Sequence, residues 1–112
     1  MLIESYSFGK IVIAGRQIRN DVLIIGNSVI SWWRREGHLL QVEDLAEVWK
    51  YAPEVIVIGC GADSVMKVSE TVSQKCRENN IELIAVRTHE AVDEFNRISA
   101  EKKTACGLHL TC

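Results

Sequence analysis

Two short runs limit most strongly what this chain can become: Val55-Ile56-Val57-Ile58 and Ile81 to Val86. The first is an uninterrupted β-branched run of the kind covered on both faces in a parallel sheet, and the second reads as another buried strand. The stretch between them is long enough for one helix, so strand, helix and strand predict a βαβ crossover with parallel strands. The helix is expected from about Asp63 to Glu78. Val65, Val68, Val72 and Cys76 form its apolar stripe, and Lys67, Glu70 and Lys75 lie on the wet side. Asp63 or Ser64 can cap its start, and Asn79-Asn80 suits a left-handed residue at its end.

The first third has a different rhythm. Ile3 to Phe8 alternates, Lys10 to Ala14 is β-branched, and Gly15 supplies the positive φ for a reversal into Arg16 to Arg19. Asn20-Asp21 marks a turn before Val22 to Ile25, and Gly26-Asn27 fits a hairpin loop into Ser28 to Trp32. These reversals predict an antiparallel meander with neighbouring strands paired in order. Val42 to Trp49 returns to helical spacing, closed by Pro53. Thr88 is expected to cap a further helix that turns Ala91, Val92, Phe95 and Ile98 inward, and Ala105 to Thr111 reads as a last strand. No linker divides the chain, so residues 1–112 are expected to form a single domain.

Composition narrows the function classes. A 47% hydrophobic and 25% charged content is that of an ordinary globular protein. The net charge of -2 lacks the basic excess of a broad nucleic-acid face, so no nucleic acid is expected as a partner. No run approaches the length of a membrane helix, and the first ten residues lack the pattern of a secretory signal. A mature start at Met1, a cytoplasmic location and no membrane partner are the expectations. Cys60, Cys76, Cys106 and Cys112 contain no Cys-x-x-Cys pair, and His38, His89 and His109 lie in three separate elements. Neither spacing announces a zinc or redox site, so no metal and no cofactor are expected.

Two surfaces are candidates for function. Gly59-Cys60-Gly61 follows a strand and, on the helix expected from Asp63, would sit beside amides that attract anions. Arg87, Thr88 and His89 end the next strand at the same sheet edge, so the two loops together are a candidate small-anion site. Gly-x-Gly lacks the third glycine of the dinucleotide fingerprint, and the plain alternative is a tight turn needing small residues. Cys60 with His89 as its base is the catalytic candidate, though no orienting acid can be assigned. The second surface is Trp32-Trp33-Arg34-Arg35 with Gly37-His38. Adjacent tryptophans on a strand face opposite sides, so one is core and the other is free to meet a partner protein. The plain alternative is an aromatic plug with solvated arginines.

Several stretches taken together resemble one family. They are Ser7-Phe8-Gly9, Trp33-Arg34 with Gly37-His38, Val57 to Gly61, Thr88-His89-Glu90-Ala91-Val92 with Phe95-Asn96, and Leu108-His109-Leu110-Thr111-Cys112. In order and spacing the chain is similar to a small domain family of largely unknown function that spans archaea, bacteria and mitochondria. That family includes the mitochondrial respiratory complex I assembly factor 3 and an adipogenesis-associated cytosolic protein. The resemblance implies a three-layer α/β domain with a mixed central sheet and an antiparallel last strand. It also implies a link to assembly and regulation instead of an established reaction. Many relatives have Tyr where this chain has Phe95, so no role of that phenol carries over. With an antiparallel last strand, Cys106 would lie at the sheet edge of Cys60 and Cys112 at the other end, making Cys60–Cys106 the first choice for any disulfide.

The leading functional expectation is a non-catalytic binding or assembly module that uses Trp33, Arg34, Gly37 and His38 against a protein partner. The alternative is a small-anion binder or enzyme at Gly59, Cys60, Gly61, Arg87, Thr88 and His89. A monomer and a homodimer paired through a meander edge are both compatible with the sequence.

Overall fold

The computed structural model describes residues 2–112; the expected mature start at Met1 lies outside them. Five strands form the central sheet: β4 (Val22–Ile25), β5 (Ser28–Ser31), β7 (Val55–Gly59), β9 (Glu82–Val86) and β10 (Thr104–Leu108), in the order β5-β4-β10-β7-β9. The pairs β7–β9 and β10–β7 are parallel, whereas β4–β5 and β10–β4 are antiparallel. The sheet is therefore mixed, and the last strand is antiparallel to β4 as the resemblance implied. It is also parallel to β7, with Leu108 opposite Gly59.

Alternation along these strands sorts side chains into two cores. Val55, Val57, Val22, Ile24, Cys106 and Leu108 face one side and pack on Ala91, Val92, Phe95 and Ile98 of α3 (Thr88–Ile98). Three further strands share that layer: β1 (Ile3–Ser7), β2 (Lys10–Ile13) and β3 (Arg16–Ile18), an antiparallel sheet contributing Ile3, Ile11 and Ile13. Ile56, Ile58, Leu23 and Ala105 face the other side, against Leu45 and Val48 near α1 (Ala46–Tyr51) and Val72 and Cys76 of α2 (Glu70–Glu78). The result is three layers, as expected, because a sheet apolar on both faces has to be covered twice.

The meander continues for only three strands. At Asn20-Asp21 the chain leaves the small sheet, and Val22 pairs with Leu108 instead of returning beside β3. Wholly apolar β4 is suited to the centre of the large sheet, next to β10, whose five residues are all buried.

The helix expected from Asp63 begins only at Glu70, with Ser69 as its N-cap. Ser64 takes a left-handed φ of 58°, which no helix continues through. Met66 turns inward and is buried, while the predicted stripe residue Val65 is exposed. Lys67-Val68 forms the short strand β8, parallel to β6 (Leu39–Leu40), with Lys67 N–H donating to the His38 carbonyl (2.9 Å) and Ser69 N–H to that of Leu40 (3.0 Å). These ladder bonds and the Met66 anchor outweigh a weak helical preference. Val72 and Cys76 keep their expected buried places, and Asn80 supplies the expected left-handed residue at φ 55°.

All four cysteines are free thiols, so the Cys60–Cys106 pairing is corrected. Because β10 runs parallel to β7, Cys106 lies mid-sheet opposite Val57 and faces α3, whereas Cys60 packs in the other core. Cys112, expected at the far end, reaches the carboxyl edge beside Gly61.

Candidate functional site

The loops after β7 and β9 do meet, as predicted, but they bind each other. Cys60 N–H donates to the Val86 carbonyl (2.8 Å), Gly61 N–H to Thr88 Oγ1 (2.9 Å) and Thr88 N–H to the Gly61 carbonyl (3.2 Å). Thr88 is buried, and its hydroxyl donates in turn to the His109 carbonyl (2.6 Å). It is thus spent on joining two loops and the end of β10, not on capping α3, whose N-cap is Arg87. The glycines have a packing reason. A Cβ on Gly59 would come within 2.8 Å of Thr88 Oγ1, and one on Gly61, at φ +104°, would run into the main chain of Cys112. With α2 starting at Glu70, the Gly59–Gly61 turn has no helix amides behind it. Burial pushes the Cys60 thiol up, against a smaller opposing pull from Lys67, which is the reverse of an activated nucleophile. His89 is exposed on α3 with its ring 6.2 Å from that of Tyr6, in the layer opposite the core that holds Cys60. The structure does not bring Cys60 and His89 together as a pair. Arg87 is exposed at the rim.

At the other side of the same edge, polar side chains converge on Asp21. Its Oδ2 accepts from Arg34 Nη2 and from His109 Nδ1, both at 2.8 Å, and its Oδ1 accepts from Leu110 N–H at 2.8 Å. Burial alone would raise this carboxyl; the hydrogen bonds from His109, Leu110 and Arg34 outweigh it and hold Asp21 below its ordinary value. Arg34 is not a solvated arginine. Its side chain is only 5% exposed, its Nη2 also donates to the Gly37 carbonyl (3.1 Å), and its guanidinium lies 4.6 Å from the Trp32 ring centre. Among the described residues its Nε and Nη1 have no hydrogen-bond partners, and the indole face beneath supplies a cation–π contact instead.

The two tryptophans part as expected. Trp32 is buried, donating from Nε1 to the Asp44 carbonyl (2.9 Å) and filling the space above Gly107, where a Cβ would lie 2.7 Å from Trp32 Cη2. Trp33 is 85% exposed. The loop carrying it is clamped by Arg34 on one side and by Asp44 on the other, whose carboxylate accepts from Arg35 N–H (3.1 Å) and Gln41 N–H (2.8 Å). Beside the Trp33 indole lies a cleft of about 270 Å³ lined also by Trp32, Arg34, Asn20, Asp21 and Ser31. His38 is exposed next to this loop, with Nε2 3.7 Å from Cys112 Sγ and its ring 5.8 Å from that of His109. His38, His109 and Cys112 thus come together although they are far apart in sequence. Only the parallel pairing of β10 with β7 could have disclosed this.

A model of a protein family of unknown function, DUF498/DUF598, matches residues 3–109. The chain belongs to that family. Solved structures share its fold. A conserved hypothetical protein of Pyrococcus horikoshii OT3 is 22% identical with a TM-score of 0.87, each chain covered over 100% of its length. A Bartonella henselae protein described as an outer membrane protein is 23% identical with a TM-score of 0.84, covering 98% of this chain and 94% of that one. A Bordetella pertussis protein described as a Mth938-like domain is 14% identical with a TM-score of 0.67, covering 97% and 85%. At these identities the likeness is one of fold. Among the described residues of this DUF498/DUF598 member, no helix is long and apolar enough to cross a membrane.

Proposed function

We propose that this chain is a non-catalytic binding module, in the manner of an assembly factor, that docks a protein partner on Trp33. The observation that carries this reading is the 85% exposure of the Trp33 indole on a loop held by the Arg34–Asp21 pair next to it and by Asp44 at Arg35 and Gln41. An exposed tryptophan on a rigid support offers large apolar area with little ordering cost, the pattern of a binding hot spot. The adjoining cleft, with Arg34 in its lining, would take one partner side chain. Arg35 and His38, both exposed, would form the polar rim. The four free thiols fit a reducing compartment, the cytoplasm.

A photo-reactive amino acid at position 33, compared with one at the exposed Glu78 on α2, tests this. Position 33 is expected to yield discrete adducts in cells that excess unlabelled chain competes away and excess Trp33→Ala chain does not. Identical adduct profiles from both positions would refute it. The small-anion or enzyme alternative draws less support, because its loops pack against each other and Cys60 lacks both helix amides and His89.

A further inference from the structure

The donor atoms of His38, His109 and Cys112 all lie within 4.8 Å of one another. Each residue is set by its own backbone anchor. The His38 carbonyl accepts from Lys67 N–H (2.9 Å), His109 N–H donates to the Gly59 carbonyl (3.0 Å), and the Cys112 carbonyl accepts from Val65 N–H (3.0 Å). Three independent supports therefore hold three soft or borderline donors at one point on the surface.

The hydrogen bonds also fix which nitrogen of His109 keeps a free lone pair. Asp21 Oδ2 can only accept, so the proton of the His109 ring sits on Nδ1, and the lone pair is left on Nε2. Nε2 points toward Thr111 Oγ1 at 3.5 Å, while His38 Nε2 faces Cys112 Sγ at 3.7 Å. A carboxylate on the far nitrogen of a histidine is the usual outer partner of a metal-binding imidazole, since it fixes the tautomer and ring orientation and raises donor strength. Asp21 is confined to that outer role, because its oxygens are already taken by Arg34, His109 and Leu110. The positive Arg34 approaches the ring at Nδ1 (3.1 Å), away from Nε2, with the Asp21 carboxylate to balance it.

We propose that His38, His109 and Cys112 form a three-donor site for a divalent transition metal of the zinc class, with a fourth position open to solvent. Two imidazoles and one thiolate suit a borderline ion in tetrahedral geometry, and they serve oxygen-preferring magnesium or calcium poorly. On binding, Cys112 Sγ gives up its proton to solvent as the metal–sulfur bond forms, and the hydrated ion releases its waters except one at the open position as the sulfur and the two nitrogens take the other three. Exposed His38 and half-buried Cys112 leave the ion a way in. His38 also stands at the rim of the proposed Trp33 surface, but metal binding at this site does not depend on docking there.

The test is a titration of the untagged, fully reduced chain with Co²⁺, followed by displacement with Zn²⁺. One equivalent of Co²⁺ is expected to produce the near-ultraviolet thiolate-to-cobalt charge-transfer band and the visible bands of a tetrahedral ion. Zn²⁺ should remove both. Cys112→Ser should abolish the charge-transfer band. His38→Ala, at an exposed position that leaves the fold intact by circular dichroism, should weaken Zn²⁺ binding by roughly 10- to 100-fold or more. Cys60→Ser and His89→Ala should leave the spectrum as it is. The proposal is overturned if no charge-transfer band forms with all thiols reduced. It is equally overturned if the band persists in Cys112→Ser, or if His38→Ala binds Zn²⁺ as tightly as the parent.

Discussion

The two halves of the carboxyl sheet edge are built from similar materials and do opposite things. Around Gly59–Gly61 and Thr88, the amides of Cys60, Gly61 and Thr88 and the Thr88 hydroxyl are used to join one loop to another. Around Asp21, Arg34 and His109, the polar groups also bond to each other, yet they leave an indole, an imidazole and a thiol facing outward. A glycine turn after a parallel strand looks like a ligand loop in sequence, and here it is a closure. The outward-facing groups come from residues that no short motif links.

The closed half should break hardest. Gly61→Ala forces a side chain into φ +104° and against the Cys112 main chain, so a loss of roughly 3–5 kcal/mol in denaturant unfolding is expected. A variant as stable as the parent would show that this turn has room for a ligand after all. In the open half, Asp21→Ala leaves Arg34 buried without its carboxylate, for a loss of about 3 kcal/mol. Thr88→Val deletes the hydroxyl shared by Gly61 and His109 and should lose about 2 kcal/mol, whereas Thr88→Ser should lose less than about 1 kcal/mol. Equal losses for Val and Ser would point to packing in place of the hydrogen bonds.

The thiols sharpen the contrast most gently. Burial raises Cys60, Cys76 and Cys106, so the folded chain favours their neutral forms. That contribution to stability is complete below the ordinary thiol pKa of about 8.5 and is lost as pH rises through the raised values. Chelator-treated native protein should therefore show one fast thiol, Cys112, and three that react only on unfolding, with stability declining above that pH. A second fast thiol at neutral pH would place Cys60 on the open side of the comparison.

Much of the frame is legible in the chain itself. Val55–Ile58 announces its burial through β-branched continuity, and the inward set Ala91, Val92, Phe95 and Ile98 follows from helical spacing. Ile81–Val86, expected as a second buried strand, is corrected: it pairs in parallel with β7 but closes the sheet at its edge, so its residues are half-buried or exposed. Local signals fail where partners are remote. Nothing between residues 63 and 68 says that Met66 will anchor in a core or that Lys67 will pair with a strand near His38. The insertion of β10 between β4 and β7 is a choice among non-local pairings. It decides the place of Cys112, hence the meeting of His38, His109 and Cys112. Arg34 reads as a solvated charge until Asp21 and the Trp32 face are known to lie beside it.

On the proposed reading, the chain meets its partner through Trp33 and not through the Cys60 edge. The direct measurement is competition of the position-33 adduct by purified chains carrying Trp33→Ala or Arg87→Ala. Both sites are exposed, so both variants should keep parental stability within about 0.5 kcal/mol. Trp33→Ala is expected to compete at least about tenfold more weakly while Arg87→Ala competes like the parent. Loss of competition in Arg87→Ala with Trp33→Ala unaffected would contradict it.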